Sequence, residues 1–163
     1  MVPSLTTDQV WDELEKEIFA VLGMVTSRQE ARTAGVVYIV RERKLYISTL
    51  SSAWKTRHIG ANPQVSLTVP IAKRIPFLPW VKIPAATITF AGTAQLLAPA
   101  DCTPEIVRAF FRQIADAPQV LAEATVIQVT PVGDFLTYGV GMPMLQMRDT
   151  VRARGRAPVT ADA

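Results

Sequence analysis

Residues 44–70 read KLYISTLSSAWKTRHIGANPQVSLTVP, and they decide the fold because strand, polar turn, short helix and second strand follow one another without a gap. Leu45–Thr49 is rich enough in β-branched and aromatic side chains for a strand. Ser51 and Ser52 are turn residues, and Ala53–Gly60 can make two helical turns before Asn62 and Pro63 stop them. Val65, Leu67 and Val69 then alternate with Gln64, Ser66 and Thr68, the period of a strand with one buried face. The turn aims the hydroxyls of Ser48, Thr49, Ser51 and Ser52, unpaired helix-start N–H groups and the cations Lys55 and Arg57 at one small volume. Such a volume suits a phosphate.

Outward from this stretch, the chain reads as one globular domain. Its 163 residues are 49% hydrophobic and 19% charged, enough to bury a core. The net charge of +3 fits an anionic ligand, and so small an excess does not call for nucleic acid. A single cysteine, Cys102, excludes an intrachain disulfide framework and a multi-cysteine metal site, and points to a reducing, cytoplasmic setting. Cys102 sits beside a helix start, where a dipole could lower its pKa, but a lone cysteine reads first as packing. One histidine, His58, does not make a zinc site of ordinary type. The first residues contain no apolar signal core, and no apolar run approaches the ~20 residues of a membrane span.

Thr6, Thr7 and Asp8 cap an expected helix over Asp8–Phe19, with Val10, Leu14 and Ile18 along its apolar stripe. Strands are expected over Ala20–Thr26, Gly35–Val40 and Leu45–Thr49, a meander with polar turns at 28–33 and 41–44. The Ser27–Gly35 connection, with Arg32, Thr33, Ala34 and Gly35 at a strand entrance, is either an edge facing cofactor or substrate or a solvated hairpin. Ala86–Leu97 reads as a long strand in which Gly92 allows a bend. Thr103, Pro104 and Glu105 start a helix whose face carries Ile106, Phe110 and Ile114; Phe110 and Phe111 read as core. Ala124–Thr130 and Asp134–Val140 are the last strands, separated by a turn at Pro131, Val132 and Gly133.

Two stretches fit no regular element. Residues 70–84, PIAKRIPFLPWVKIP, are denied regular structure by their prolines yet are too apolar for an idle loop. A lid over the ligand site or a dimer contact is preferred there to a membrane contact by residues 71–83. The lid, with Phe77 and Trp80, implies a hydrophobic or planar small-molecule substrate. Residues 142–163 lack a core pattern and read as a basic tail, partly extended or disordered, after a domain spanning 1–141.

The run ST-L-SS-x-x-K-x-x-x-I-x-x-NP-x-V-S-L resembles the flavin-phosphate segment of the pyridoxamine 5′-phosphate oxidase-like split-barrel family. The resemblance covers residues 6–140. It implies a mainly β fold with flanking helices: a split β-barrel of about six antiparallel strands, paired as a homodimer with cofactor sites at the subunit boundary. It also implies that Ser48 and Thr49 at the strand end and Lys55 on the helix hold the phosphate of FMN, with Ser52 supplying a further hydroxyl and Arg57 an auxiliary cation. Trp54 stands where the oxidases commonly have arginine. Thr33 and Tyr38 stand where they carry an arginine and a lysine on the preceding strand, with Arg32 one place off register. Some members use an arginine near the C-terminus on substrate, and here GRAP occupies 155–158.

The function implied is an FMN-dependent oxidoreductase of unknown substrate. Alternatives are a reductase using a reduced deazaflavin and a non-catalytic dimeric module that binds flavin or haem. The chain contains no GxGxxG, no P-loop and no Ser-His-Asp order, so neither a dinucleotide fingerprint nor hydrolytic machinery competes. With a flavin bound, the ring carries the redox step and no catalytic acid or base is required of the protein.

Overall fold

The computed structural model describes residues 5–73, 84–111 and 118–160. The apolar stretch from 74 to 83, with Phe77 and Trp80, lies outside the described residues, as do Ile114 and the last three residues.

A helix opens the chain, α1 (Thr7–Lys16). Thr6 caps it in a reciprocal box with Gln9, and Val10, Trp11 and Leu14 are buried. It stops at Lys16 because Glu17 is already extended, so Ile18 lies off the expected stripe and is exposed. The hairpin β1 (Phe19–Val25) and β2 (Ala31–Val37) follows, closed by a turn in which Thr26 Oγ1 accepts from the N–H groups of Arg28 and Glu30. The strand expected over Gly35–Val40 is broken at Tyr38, after which β3 (Ile39–Arg41) pairs with β4 (Lys44–Leu50). Glu42 and Arg43 in their tight turn both take positive φ, the hairpin geometry that matches strand twist. Then come α2 (Trp54–Ala61), β5 (Gln64–Ile71) and β6 (Ala86–Leu97). Two flanking helices, α3 (Pro104–Phe111) and α4 (Pro118–Glu123), precede β7 (Ala124–Tyr138), and β8 (Arg154–Pro158) ends the sheet.

All eight strands form one antiparallel sheet in the order β2-β1-β5-β6-β7-β4-β3, with β8 added on β7. The two ends of that order, β2 and β3, are consecutive in the chain, and only Tyr38 separates them. The sheet therefore curls on itself and is closed by covalent continuity at the corner. Tyr38 fixes the corner: its backbone N–H donates to Ile18 O at 2.9 Å and its hydroxyl to Leu14 O at 2.8 Å. Its ring is part of the barrel core, being 1% exposed. Burial, and then the Glu17 charge, push its pKa well above the ordinary tyrosine value.

The expected turn at 131–133 is a bulge inside one continuous strand. Pairing with β6 shifts from Thr89↔Leu136 to Ala91↔Val132, so residues 133–135 of β7 face only Phe90. Gly133 supplies the positive φ, +73°, that the bulge needs. The bend lets β7 pair with β4 over Ala124–Val129 and with β8 over Asp134–Tyr138. This explains the split barrel: one long strand serves two neighbours in succession.

Residues 142–160 are not a loose tail. β8 pairs with β7, and Met147, Ala157 and Val159 are buried. Trp11 Nε1 donates to Val159 O at 3.2 Å, and Thr7 Oγ1 to Pro158 O at 2.7 Å, so α1 clamps the C-terminal strand. Gly139, at φ +67°, takes a backbone conformation that other residues rarely adopt, and a Cβ there would force the Met147 side chain to shift. The arginines of the segment are surface groups: Arg152 pairs with Asp149 and Arg156 with Asp134. Inside the barrel, Phe135 meets both Trp11 and Phe90 edge to face, with ring centroids 5.3 Å apart in each contact. Among the described residues, no helix is long and apolar enough to cross a membrane.

Candidate functional site: the β4–α2 turn

β4 pairs with β7 through Ser48↔Val126, Thr49↔Thr125 and Leu50↔Ala124, and there it leaves the sheet. Ser48 and Thr49 are half-buried at its end, while Ser51 and Ser52 are exposed in the turn. Three hydrogen bonds fix the turn. Ser51 N donates to Glu123 O at 2.8 Å, Ala53 N to Leu50 O at 3.1 Å, and Thr56 Oγ1 to Leu50 O at 2.8 Å. Thr56 carries no signal in the local sequence, since its partner lies six residues back; it is buried and locks the helix onto the strand end.

Ala53 is the N-cap of α2 and makes no side-chain cap, so the first-turn N–H groups of the helix lack the oxygen partner that Ser, Thr or Asp would supply. Lys55 is half-buried and has no carboxylate partner among the described residues. The segment thus carries the uncapped first-turn N–H groups and the unpaired Lys55 ammonium, with the hydroxyl residues Ser48 and Thr49 at the strand end and Ser52 in the turn. No acidic residue lies in the first turn of the helix. Trp54, 43% exposed, meets His58 edge to face with ring centroids 5.7 Å apart.

The other expected site residues divide. Arg32 and Arg57 are brought together, but with Arg28 and His58, in a groove of about 330 Å³ between α2 and the β1–β2 turn. Arg32 is engaged there by Glu30 at 2.8 Å, whereas Arg28 and Arg57 have no ion pair among the described residues. Thr33, Ala34 and Gly35 run along the edge strand opposite Gly23, Leu22 and Val21. Ala34 packs on the core and Gly35 lies against the Phe19 ring. Within one chain, that edge does not join the β4–α2 turn. Cys102 is half-buried, and burial together with the Asp101 charge pushes its thiol pKa up, the opposite of a dipole-activated cysteine. Among the described residues, no cluster of His, Cys, Asp and Glu could hold a metal.

The curled antiparallel sheet with its flanking helices is a split β-barrel. The chain belongs to the pyridoxamine 5′-phosphate oxidase family, whose profile matches residues 6–133. Solved structures with the same fold include the haem storage protein from Vibrio cholerae, 13% identical with a TM-score of 0.61, over 83% of this chain and 96% of that one. A FAD-binding protein from Mesorhizobium loti is 14% identical with a TM-score of 0.56, over 80% and 91% of the two chains. An F420 reductase is 18% identical with a TM-score of 0.53, over 76% and 94%. These likenesses are of fold. No curated protein matches the chain.

Proposed function

We infer that the protein is an FMN-dependent oxidoreductase acting on a small molecule. Lys55, the first-turn N–H groups of α2 and the hydroxyls of Ser48, Thr49 and Ser52 hold the cofactor phosphate. The uncapped start of α2 carries this reading: a helix N-terminus fixed by buried Thr56, lacking any side-chain cap and flanked by an unpaired lysine, is built to receive an external anion. A flavin bound there supplies the hydride and electron transfer. The chain's own residues anchor the phosphate, and Trp54 walls the site. The chain works as a homodimer, in which the exposed apolar side chains Phe19, Val37 and Leu136 are covered. The single cysteine suits a reducing, cytoplasmic setting.

One observation favours a second reading. Arg28 and Arg57 offer cationic charge beyond what one phosphate uses, and they flank α2. A reduced deazaflavin with an anionic tail would use both, which makes a deazaflavin-dependent reductase the alternative. Absorption titrations of the purified protein with FMN, oxidised and reduced deazaflavin, and haem separate the cases. FMN is expected to bind saturably and to lose affinity by about 10- to 100-fold in Lys55→Ala, the worth of about 1.5–3 kcal/mol for a charged hydrogen bond. Deazaflavin preference, weakened in Arg28→Ala and Arg57→Ala, would transfer the assignment. Binding without turnover in a substrate screen would leave a cofactor-holding module, and absence of binding would end the flavin reading.

A further inference from the structure

An apolar groove bounded by described residues lies beside the β4–α2 turn. It has a volume of about 760 Å³ and runs between residues 98–104, α3 and α4. Its walls are apolar, set by Pro99, Val107, Pro118 and Leu121 among others, and only two lining side chains carry polar groups, Cys102 and Arg108. The volume is that of a small-molecule pocket, about 300–1,000 Å³. The walls are held from beneath by a second core, separate from the barrel interior, in which Ile106 and Phe111 of α3 pack with Tyr46 and Val126 of the sheet. Prolines at both rims fix the backbone.

The two polar groups differ in state. The Cys102 thiol is satisfied, its Sγ donating to Ala98 O at 3.5 Å, so it is part of the wall. Arg108 is exposed and has no carboxylate partner among the described residues, since Glu105, one turn earlier on α3, is engaged by Arg41 at 2.5 Å. An apolar trough with a single free guanidinium is complementary to a molecule with an apolar body and one anionic end. The geometry points to a binding site in the α3–α4 groove for an apolar monocarboxylate, a fatty-acid-like ligand whose chain lies along Val107 and Leu121 and whose carboxylate meets Arg108. This site is separate from the phosphate turn and does not depend on which cofactor binds there.

Decanoate, kept below its micellar range, is the probe. Calorimetry should show saturable binding of one decanoate per chain, no comparable binding of decyltrimethylammonium, and about tenfold weaker decanoate binding in Arg108→Gln. Because Cys102 is the only cysteine, its alkylation by iodoacetamide reports occupancy of the groove directly and without a variant. Saturating decanoate should slow that reaction several-fold. The assignment is overturned if decanoate fails to saturate, if decyltrimethylammonium binds equally well, if Cys102 alkylation is unaffected, or if FMN displaces decanoate, which would put the ligand at the turn instead.

Discussion

The barrel interior and the α3–α4 flank are both hydrophobic cores, yet they are filled differently. In the barrel, Phe90, Phe135, Trp11 and Tyr38 interlock with aliphatic side chains from all eight strands and from α1. On the flank, a few side chains around Phe111 and Val126 support helices that leave an open trough. A filled barrel has no room for a ligand, so chemistry is confined to the outside, where the sheet's strand ends meet helices. That is where both the β4–α2 turn, proposed to hold a phosphate, and the apolar groove lie, on either side of the Leu50↔Ala124 pairing.

This contrast can be broken most forcefully from the inside. Phe135→Ala should cost about 3–5 kcal/mol in urea unfolding, because the ring is fully buried between two aromatic partners. Val107→Ala, on the rim of the trough, should cost no more than about 1 kcal/mol. Equal costs would show that the flank is as tightly packed as the barrel. At the turn, Lys55→Ala should leave stability within about 0.5 kcal/mol while flavin affinity falls by the factor given above, separating binding from folding.

The barrel corner gives a smaller effect with a pH signature. Tyr38→Phe removes the hydrogen bond to Leu14 O and should cost about 1 kcal/mol. Because the folded-state pKa of Tyr38 is raised, the folded protein keeps its phenolic proton after the unfolded chain, titrating near 10, has released it. The contribution of this group is therefore intact below pH 10 and declines as pH rises beyond it, so wild-type stability should fall faster above pH 10 than that of Tyr38→Phe. Unchanged pH curves would contradict the buried-corner assignment. The smallest expected effect is a gain: Trp54→Arg should tighten FMN binding by up to about fivefold, the worth of an exposed charge pair of about 0.2–1 kcal/mol.

Local chemistry made much of this legible. The alternation of Val65, Leu67 and Val69, the Asn62-Pro63 stop and the small polar turn before Lys55 each act within a few residues, and each is where the pattern put it. Long-range pairings were not legible. β8 is short and carries two arginines, and it is a strand only because the second half of β7 offers it an edge. Trp11 bonds a carbonyl 148 positions away, and nothing near either residue announces it. Pro131 and Gly133 are turn residues by composition, but with β6 pairing on both sides of them the same freedom becomes a bulge. At the site, Arg32 and Arg57 were brought together as cations, but on the far flank of α2 from the expected phosphate, since helical spacing turns Arg57 away from Lys55.

On the proposed function, the β4–α2 turn recognises a phosphate and not merely a flat aromatic ring. Parallel titrations with FMN and riboflavin, which differ only in that group, test it most directly. Wild-type protein should bind FMN at least tenfold more tightly than riboflavin, and Lys55→Ala should abolish most of that difference while barely changing riboflavin affinity. Equal affinity of the wild-type protein for the two compounds would contradict the phosphate site.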